Sequence, residues 1–226
     1  MLRNRLLPIV GLLVLLAVVL SGCSALADLG GEVTAESEET QSVIVPGVPS
    51  LIVSHFAGNV TIRDGEADKI TANLTRQSRL SDATAAQAQL DLITMTFTQS
   101  GTDVTLSVEG RDGAGQGLNT ATANLELLVP PGTVLDINLG AGNLTVERPS
   151  SDVTVNLGAG NATVTLPDAA SFNLNVSGGV GNVNSDFEGV PDGGIATDID
   201  TTIGSNPTQT LMFNVGAGDI NLNIAR

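Results

Sequence analysis

Asn138-Leu-Gly-Ala-Gly-Asn143 is one of four near-copies of a glycine-rich phrase that decides how this chain folds. The other strong copies are Asn156-Leu-Gly-Ala-Gly-Asn161, Asn175-Val-Ser-Gly-Gly-Val-Gly-Asn182 and Asn214-Val-Gly-Ala-Gly-Asp219, and a weaker copy is Ser54-His-Phe-Ala-Gly-Asn59. The strong copies begin 18, 19 and 39 residues apart. Because 39 is two periods of about 19.5, the phrase recurs at one interval, which is the signature of a repeat architecture.

One period of this repeat has the length of one turn of a β-solenoid. At roughly 3.3 Å per extended residue, about 19 residues trace a perimeter of about 60 Å. A propeller blade is longer, at roughly 40 residues. We therefore predict a mainly β fold, a β-solenoid with coils of about 19 residues. The longer interval leaves room for one further coil near Ile195, where apolar residues alternate as far as Ile203.

Strict alternation of apolar and polar residues flanks each phrase and predicts strands with one buried face. Around the first phrase, Leu135, Ile137 and Leu139 share a face, and Val146 resumes the pattern after the glycines. The other coils repeat this arrangement, so the predicted interior is a narrow column of aliphatic side chains. The polar positions predicted to face solvent are Asp136, Asn138, Thr154, Asn156, Asp198 and Asp200.

The glycines of each phrase mark corners, because a sharp turn between strands needs backbone angles that glycine adopts most readily. Asn143, Asn161, Asn182 and Asp219 recur beside those glycines. In stacked coils these residues lie above one another, where asparagine amides can form a ladder. We therefore interpret them as structural residues.

The first 42 residues are interpreted as an export signal and a tether. Residues 1–22 combine a basic start with an apolar run, as in a bacterial secretory signal. Leu20-Ser-Gly-Cys23 resembles the lipobox of bacterial lipoproteins, so Cys23 is the predicted lipid attachment site. Cys23 is the only cysteine, which excludes an internal disulfide. Residues 23–42 carry five acids and no Lys or Arg, and they are predicted to form an acidic tether.

Residues 43–226 are assigned to one solenoid domain, with an irregular first part (43–130) and regular coils (131–226). In the first part, Ser81 to Asp91 is the one predicted helix, and Ser81 is its predicted N-terminal cap. A solenoid needs a cover over its open end. This short helix is the predicted cap.

Three segments give the chain a family resemblance. They are Leu125-Glu-Leu-Leu-Val-Pro-Pro-Gly132, Asn138-Leu-Gly-Ala-Gly-Asn-Leu-Thr-Val146 and Phe56-Ala-Gly-Asn-Val-Thr-Ile62. Together they resemble the bacterial putative-adhesin domain family of uncharacterised function, which is related to auto-transporter adhesin head domains. The resemblance covers residues 43–226 and implies a right-handed, single-stranded β-helix exposed on a bacterial surface. It brings no catalytic residues with it.

No motif assembles a metal, cofactor or catalytic site, so none is predicted. His55 has no second His, and no nearby Cys, to complete a metal or catalytic set. Among the corner residues only Asp219 is an acid, which argues against calcium. The glycine-rich stretch before Asn182 lacks the lysine of a phosphate loop. Asp198 and Asp200 are interpreted as solvated strand residues, because the regular coils contain only two arginines and no lysine or histidine.

Charge and composition limit the classes of molecule that the chain is expected to bind. The chain has 24 acids and nine Lys and Arg, two of which lie in the predicted signal, so the mature chain carries a formal charge of −17. That charge repels nucleic acid and anionic lipid head groups. Trp and Tyr, which commonly build ligand pockets and interface hot spots, are absent.

We therefore predict a non-catalytic, lipid-anchored module of the cell envelope that faces the cell surface or the periplasm. Its predicted role is that of an adhesin, which binds a glycan or a protein through the polar faces of the coils. An envelope scaffold or stress-response accessory protein is the first alternative. A β-helix enzyme acting on polysaccharide is the second. The sequence indicates no oligomeric state.

Overall fold

The computed structural model describes residues 33–111, 120–191, 193–194 and 198–225. Within them lie seventeen strands and one helix, so the prediction of a mainly β fold is confirmed. The predicted signal and Cys23 lie outside the described residues. The described part of the chain contains no helix with the length and apolar character needed to traverse a bilayer.

The strands form two mixed sheets. In the nine-stranded sheet they lie in the order β1 (Ala35–Ile44), β4 (Lys69–Ser78), β7 (Ala121–Val129), β3 (Val60–Asp64), β9 (Leu144–Glu147), β11 (Ala162–Leu166), β17 (Ile220–Ile224), β13 (Asn182–Ser185) and β14 (Gly193–Gly194). In the eight-stranded sheet the order is β15 (Ile199–Ile203), β12 (Phe172–Val180), β16 (Gln209–Ala217), β10 (Val153–Ala159), β8 (Val134–Ala141), β2 (Ser50–Ala57), β6 (Asp103–Gly110) and β5 (Ile93–Ser100).

Each glycine-rich phrase joins one strand of each sheet. We call each such strand pair a coil; the five coils are β2–β3, β8–β9, β10–β11, β12–β13 and β16–β17. Neighbouring coils pair in parallel and in register, so that Val155 lies beside Ile137 on one side and Phe213 on the other. The alternation in the sequence therefore produces continuous columns of side chains.

The inward columns of both sheets pack into one core. Leu135, Ile137 and Leu139 are buried as predicted, and the equivalent residues of the other coils join them. Each fully buried aliphatic side chain contributes about 1.5–3 kcal/mol to folding. The columns are therefore the main source of stability, and they leave the outward faces free to be polar.

The right-handed, single-stranded β-helix is not confirmed. The last coil, β16–β17, lies between β10–β11 and β12–β13, so coil order in space differs from coil order in the chain. The coil expected near Ile195 is not a further parallel coil, because Ile199–Ile203 forms β15 and pairs antiparallel with β12. Ile195 itself lies outside the described residues. β1, β4 and β5 also pair antiparallel.

The predicted tether is too long at its C-terminal end. Residues 35–42, assigned to the tether, belong to β1, which pairs with β4 over ten residues. Three of the acids that indicated a disordered tether are part of this strand. Glu36 and Glu38 are exposed, and Glu39 forms an ion pair with Arg76 at 3.0 Å. An edge strand tolerates the outward charges of Glu36 and Glu38 because its outer face stays in water. Glu39 lies on the same face as the buried Leu74, and its charge is paired with Arg76.

The helix, α1, spans Ala83–Leu90 and connects β4 of one sheet to β5 of the other. Its N-terminal cap is Asp82, whose carboxylate accepts a hydrogen bond from the Ala85 amide at 2.7 Å, and not Ser81. Ala86 and Leu90 are buried beside the edge of the nine-stranded sheet.

Side chains close the end of the molecule where the edge strands β1 and β5 meet. Gln41 donates to the Met95 carbonyl at 3.2 Å, and Gln99 donates to the Ile44 carbonyl at 2.9 Å. Arg76 donates to the Ile93 carbonyl at 2.7 Å. These bonds occupy carbonyls of edge strands that would otherwise be open to another strand.

Candidate functional site: the outer face of the nine-stranded sheet

A continuous row of polar residues crosses the outer face of the nine-stranded sheet. Its members are register partners on eight adjacent strands: Thr40, Asn73, Glu126, Thr61, Thr145, Thr163, Asn221 and Asn184. With neighbouring strands about 4.8 Å apart, the row extends for about 34 Å. We call it the threonine–asparagine row. It exists because period-2 alternation puts a polar residue outward at the same level of every strand.

An open groove of about 320 Å³ lies toward the β1 end of this row. Its lining residues are Asn59, Thr61, Arg63, Asn73, Thr75, Asn124, Leu125 and Glu126. This volume is at the lower end of the range for small-molecule sites, which runs from about 300 to 1,000 Å³. The lining is mostly polar and contains no aromatic ring, so hydrogen bonding is the chemistry the groove offers.

Arg63 lies between two carboxylates on the strands that flank its own. Its Nη1 donates to Glu126 Oε1 at 2.9 Å, and its Nε donates to Glu147 Oε1 at 3.0 Å. The hydrogen bond to Glu147 raises the pKa of Arg63 above its ordinary value. All three side chains are half exposed, so the ion pairs add little to stability. They hold the guanidinium against the sheet and leave one net negative charge beside the groove.

Several polar groups in the groove are free to bind a ligand. Asn73 Oδ1 accepts from Thr40, and Asn124 Oδ1 accepts from the Asn59 amide at 3.0 Å. Within the described residues, the Nδ2 groups of Asn73 and Asn124 make no hydrogen bond, and neither do the hydroxyls of Thr61 and Thr75. The groove therefore offers both donors and acceptors at fixed positions.

The predicted ladder runs along the corners of the coils, next to the groove. The Asn143 amide donates to Asn59 Oδ1 at 3.2 Å, and the Asn161 amide donates to Asn143 Oδ1 at 3.2 Å. Asp219 and Asn182 continue it, each amide donating to the preceding side-chain oxygen at 2.9 Å. The structural role of these residues is confirmed, but the donors are mainly backbone amides, whereas side-chain amides were expected.

His55 is part of the core. It is 3 % exposed and occupies the position that Leu139 fills in the next coil. Its Nε2 donates to the Ala123 carbonyl at 2.7 Å, and its buried Nδ1 has no hydrogen-bond partner in the described structure. Burial lowers the pKa of His55 from its ordinary value of 6.5. The side chain therefore joins the two sheets as a neutral imidazole.

Of the two acids considered for catalysis, Asp200 lies on β15 of the opposite sheet and Asp198 immediately precedes that strand. Asp198 and Asp200 are exposed, and Asp200 is the register partner of Asn175 on β12. Across the described ranges no group of three or more His, Cys, Asp or Glu residues is placed to hold a metal ion. The structure does not bring Asp198 or Asp200 to the groove.

Comparison with known proteins identifies a matching family model and similar solved structures. The sequence model of the N-terminal domain of toast_rack, DUF2154, matches residues 36–186. The chain is similar in structure to a putative cell adhesion protein from Clostridium sporogenes, with a TM-score of 0.53 and 16 % identity over 84 % of this chain and 100 % of that one. A putative adhesin from Bacteroides fragilis aligns over 84 % of this chain and 98 % of its own, with a TM-score of 0.27 and 10 % identity. No curated protein matches the chain.

Proposed function

The chain belongs to the family of the N-terminal domain of toast_rack, DUF2154, and we propose that it is a non-catalytic adhesion module displayed outside the cytoplasm. The similar structure from Clostridium sporogenes, described as a putative cell adhesion protein, supports the proposal of an adhesion module. The observation that carries the proposal is the outer face of the nine-stranded sheet, with its row and its groove.

The proposed ligand of this face is a neutral glycan. The free amides and hydroxyls of the groove match the hydroxyls of a sugar, which both donate and accept hydrogen bonds. The carboxylates of Glu126 and Glu147 outnumber Arg63, so an anionic glycan would be repelled. Without an aromatic ring for stacking, each site binds weakly, and adhesion depends on many copies acting together.

The proposed attachment is a lipid on Cys23. Because β1 begins at Ala35 and the Thr34 amide already donates to the Ser78 carbonyl, the proposed tether is limited to residues 24–33. A fully extended chain of that length spans at most about 40 Å. The domain is thus held near the membrane, and its proposed role in adhesion requires that it face the cell surface.

A glycan array probed with the purified protein tests the binding proposal. The variant Thr61→Val, Thr75→Val removes two free hydroxyls and keeps the shape of both side chains. At about 0.5–1.5 kcal/mol for each of the two lost hydrogen bonds, binding to a neutral glycan should weaken about 5- to 150-fold. Thr154→Val, an outward threonine of the eight-stranded sheet, is the matched control and should bind like the wild type.

An envelope scaffold that binds a neighbouring protein is the second candidate. A row about 34 Å long is also long enough to contact a protein partner. Binding of no glycan, together with co-purification of one envelope protein that the Thr61→Val, Thr75→Val variant loses, would favour the scaffold.

A further inference from the structure

The coil β16–β17 sits between two coils that precede it in the chain. In the eight-stranded sheet β16 pairs with β10 on one side and β12 on the other. In the nine-stranded sheet β17 pairs with β11 and β13. The chain therefore leaves a gap of two strand spacings, about 10 Å, between earlier coils and fills it with later residues.

The inserted coil is bound on both sides by the same kinds of contact that hold the other coils. Leu211, Phe213 and Val215 are buried in the common core. On one side Asn214 Nδ2 donates to Asn156 Oδ1 at 2.9 Å. On the other side the Gly218 amide donates to the Val180 carbonyl at 2.8 Å.

The hydrogen bonds that hold the inserted coil are made by residues of the glycine-rich phrase. Asn156 Oδ1 accepts from Asn214 in the same way that Asn138 Oδ1 accepts from Asn156, at 2.9 and 3.0 Å. Asn161 Oδ1 accepts from the Asp219 amide as Asn143 Oδ1 accepts from the Asn161 amide. None of these contacts depends on which molecule supplies the phrase, so a second copy of the chain presents an equal occupant.

The connection into the inserted coil is an exposed loop. Residues 204–208 join β15 to β16, and all five are exposed. Among the described backbone hydrogen bonds, the one that holds this loop runs from the Thr208 amide to the Ser171 carbonyl at 3.1 Å. Fully extended, five residues reach about 17 Å, which lets the loop pass from one molecule to another.

We propose that two copies of this chain exchange the coil β16–β17, so that each copy fills the gap in the other. Exchange of an identical element forms a dimer without any new type of contact. Such a dimer presents two threonine–asparagine rows on one particle. This inference rests on the strand order, the shared contacts and the exposed loop, and does not depend on what the rows bind.

Engineered disulfides distinguish exchange from ordinary association. Thr154 and Met212 are outward register partners on β10 and β16, and neighbouring strands bring their Cα atoms within disulfide range. The variant is Thr154→Cys, Met212→Cys in the full chain that also carries Cys23→Ser, so that it has no other thiol. The protein is refolded at high and at low concentration, oxidised, separated by size and examined on a non-reducing gel.

Exchange predicts that the dimer fraction from the concentrated sample runs at twice the mass of one chain, and that tenfold dilution during refolding shifts the product to single chains. Thr145→Cys, Thr163→Cys in the same background joins β9 to β11, which are not exchanged, and its dimer fraction should run as single chains. Bonds within single chains at every concentration for the Thr154, Met212 variant would overturn the proposal. So would the absence of any dimer.

Discussion

Replacing Gly160 by alanine tests the close stacking of the coils at their corners. Gly160 has a φ of +135°, a region that side chains with a Cβ rarely adopt. An added Cβ would overlap the carbonyl oxygen of Gly142 in the neighbouring coil and lie 2.7 Å from its carbonyl carbon. Because these are backbone atoms, no rotamer change can relieve the overlap.

The expected loss of stability has two parts. Holding alanine in a sparsely populated backbone region costs about 1–3 kcal/mol. Pushing two packed coils apart costs about 1–3 kcal/mol more. Gly160→Ala should therefore lower the free energy of unfolding by about 2–6 kcal/mol, measured by urea denaturation.

Two other glycines separate these contributions. Gly47 has a φ of +93° with nothing within 4 Å of an added Cβ, so Gly47→Ala reports backbone strain alone. Gly193 has equally open space and no positive φ, so Gly193→Ala should change stability by less than about 0.5 kcal/mol. If Gly160→Ala is no more destabilising than Gly47→Ala, the corners are not in backbone contact and the stacking described above is wrong.

Three further predictions concern single side chains. Folding lowers the pKa of His55 below 6.5, so the unfolded chain binds the proton more readily than the folded chain. The free energy of unfolding should therefore fall as the pH drops below about 6.5. His55→Leu should reduce that loss, measured by urea denaturation at a series of pH values. Asn161→Ala removes the acceptor of the Asp219 amide and should cost about 0.5–1.5 kcal/mol in urea denaturation, whereas Asn161→Asp keeps an oxygen there and should cost less; equal losses would contradict the ladder. Arg76→Ala leaves Glu39 and the Ile93 carbonyl without their donor and should lower the free energy of unfolding by about 1–3 kcal/mol, while the exposed Arg79→Ala should have little effect; similar small effects of both would show that this end is not held by Arg76.

Features with a local cause could be predicted from the sequence. The buried column of Leu135, Ile137 and Leu139 follows from alternation, which any strand with one covered face must obey. The corner ladder of Asn143 and Asn161 follows from the fixed period, because equal spacing stacks equal residues.

The order of the coils could not be predicted, because the phrases are nearly interchangeable. Asn156 accepts a hydrogen bond from Asn214 just as Asn138 accepts one from Asn156, so this contact alone does not determine which phrases become neighbours. The other edge of β12 pairs antiparallel with β15, a pairing that alternation alone does not predict. Sequence order was the natural expectation, and the structure departs from it.

The groove was missed for a related reason. Arg63, Glu126 and Glu147 come from three distant parts of the sequence, and only the order β7, β3, β9 brings them together. Each residue alone looks like an ordinary outward charge on a strand. A signal was present in the repeated Asn-x-Thr spacing at Asn59 and Asn73, which supplies several of the groove's polar groups, but it predicts no contact between the two segments.

Adhesion by intact cells is the proposed role of the outer face, and it can be measured directly. Cells producing the wild-type chain are compared with cells producing Thr61→Val, Thr75→Val on a surface coated with the neutral glycan that the array identifies. Protease treatment of intact and lysed cells establishes equal display of both chains. We expect protease to remove both chains from intact cells, and only the wild type to promote adhesion. Equal adhesion by the two strains, or protection of the chain on intact cells, would contradict the proposed role.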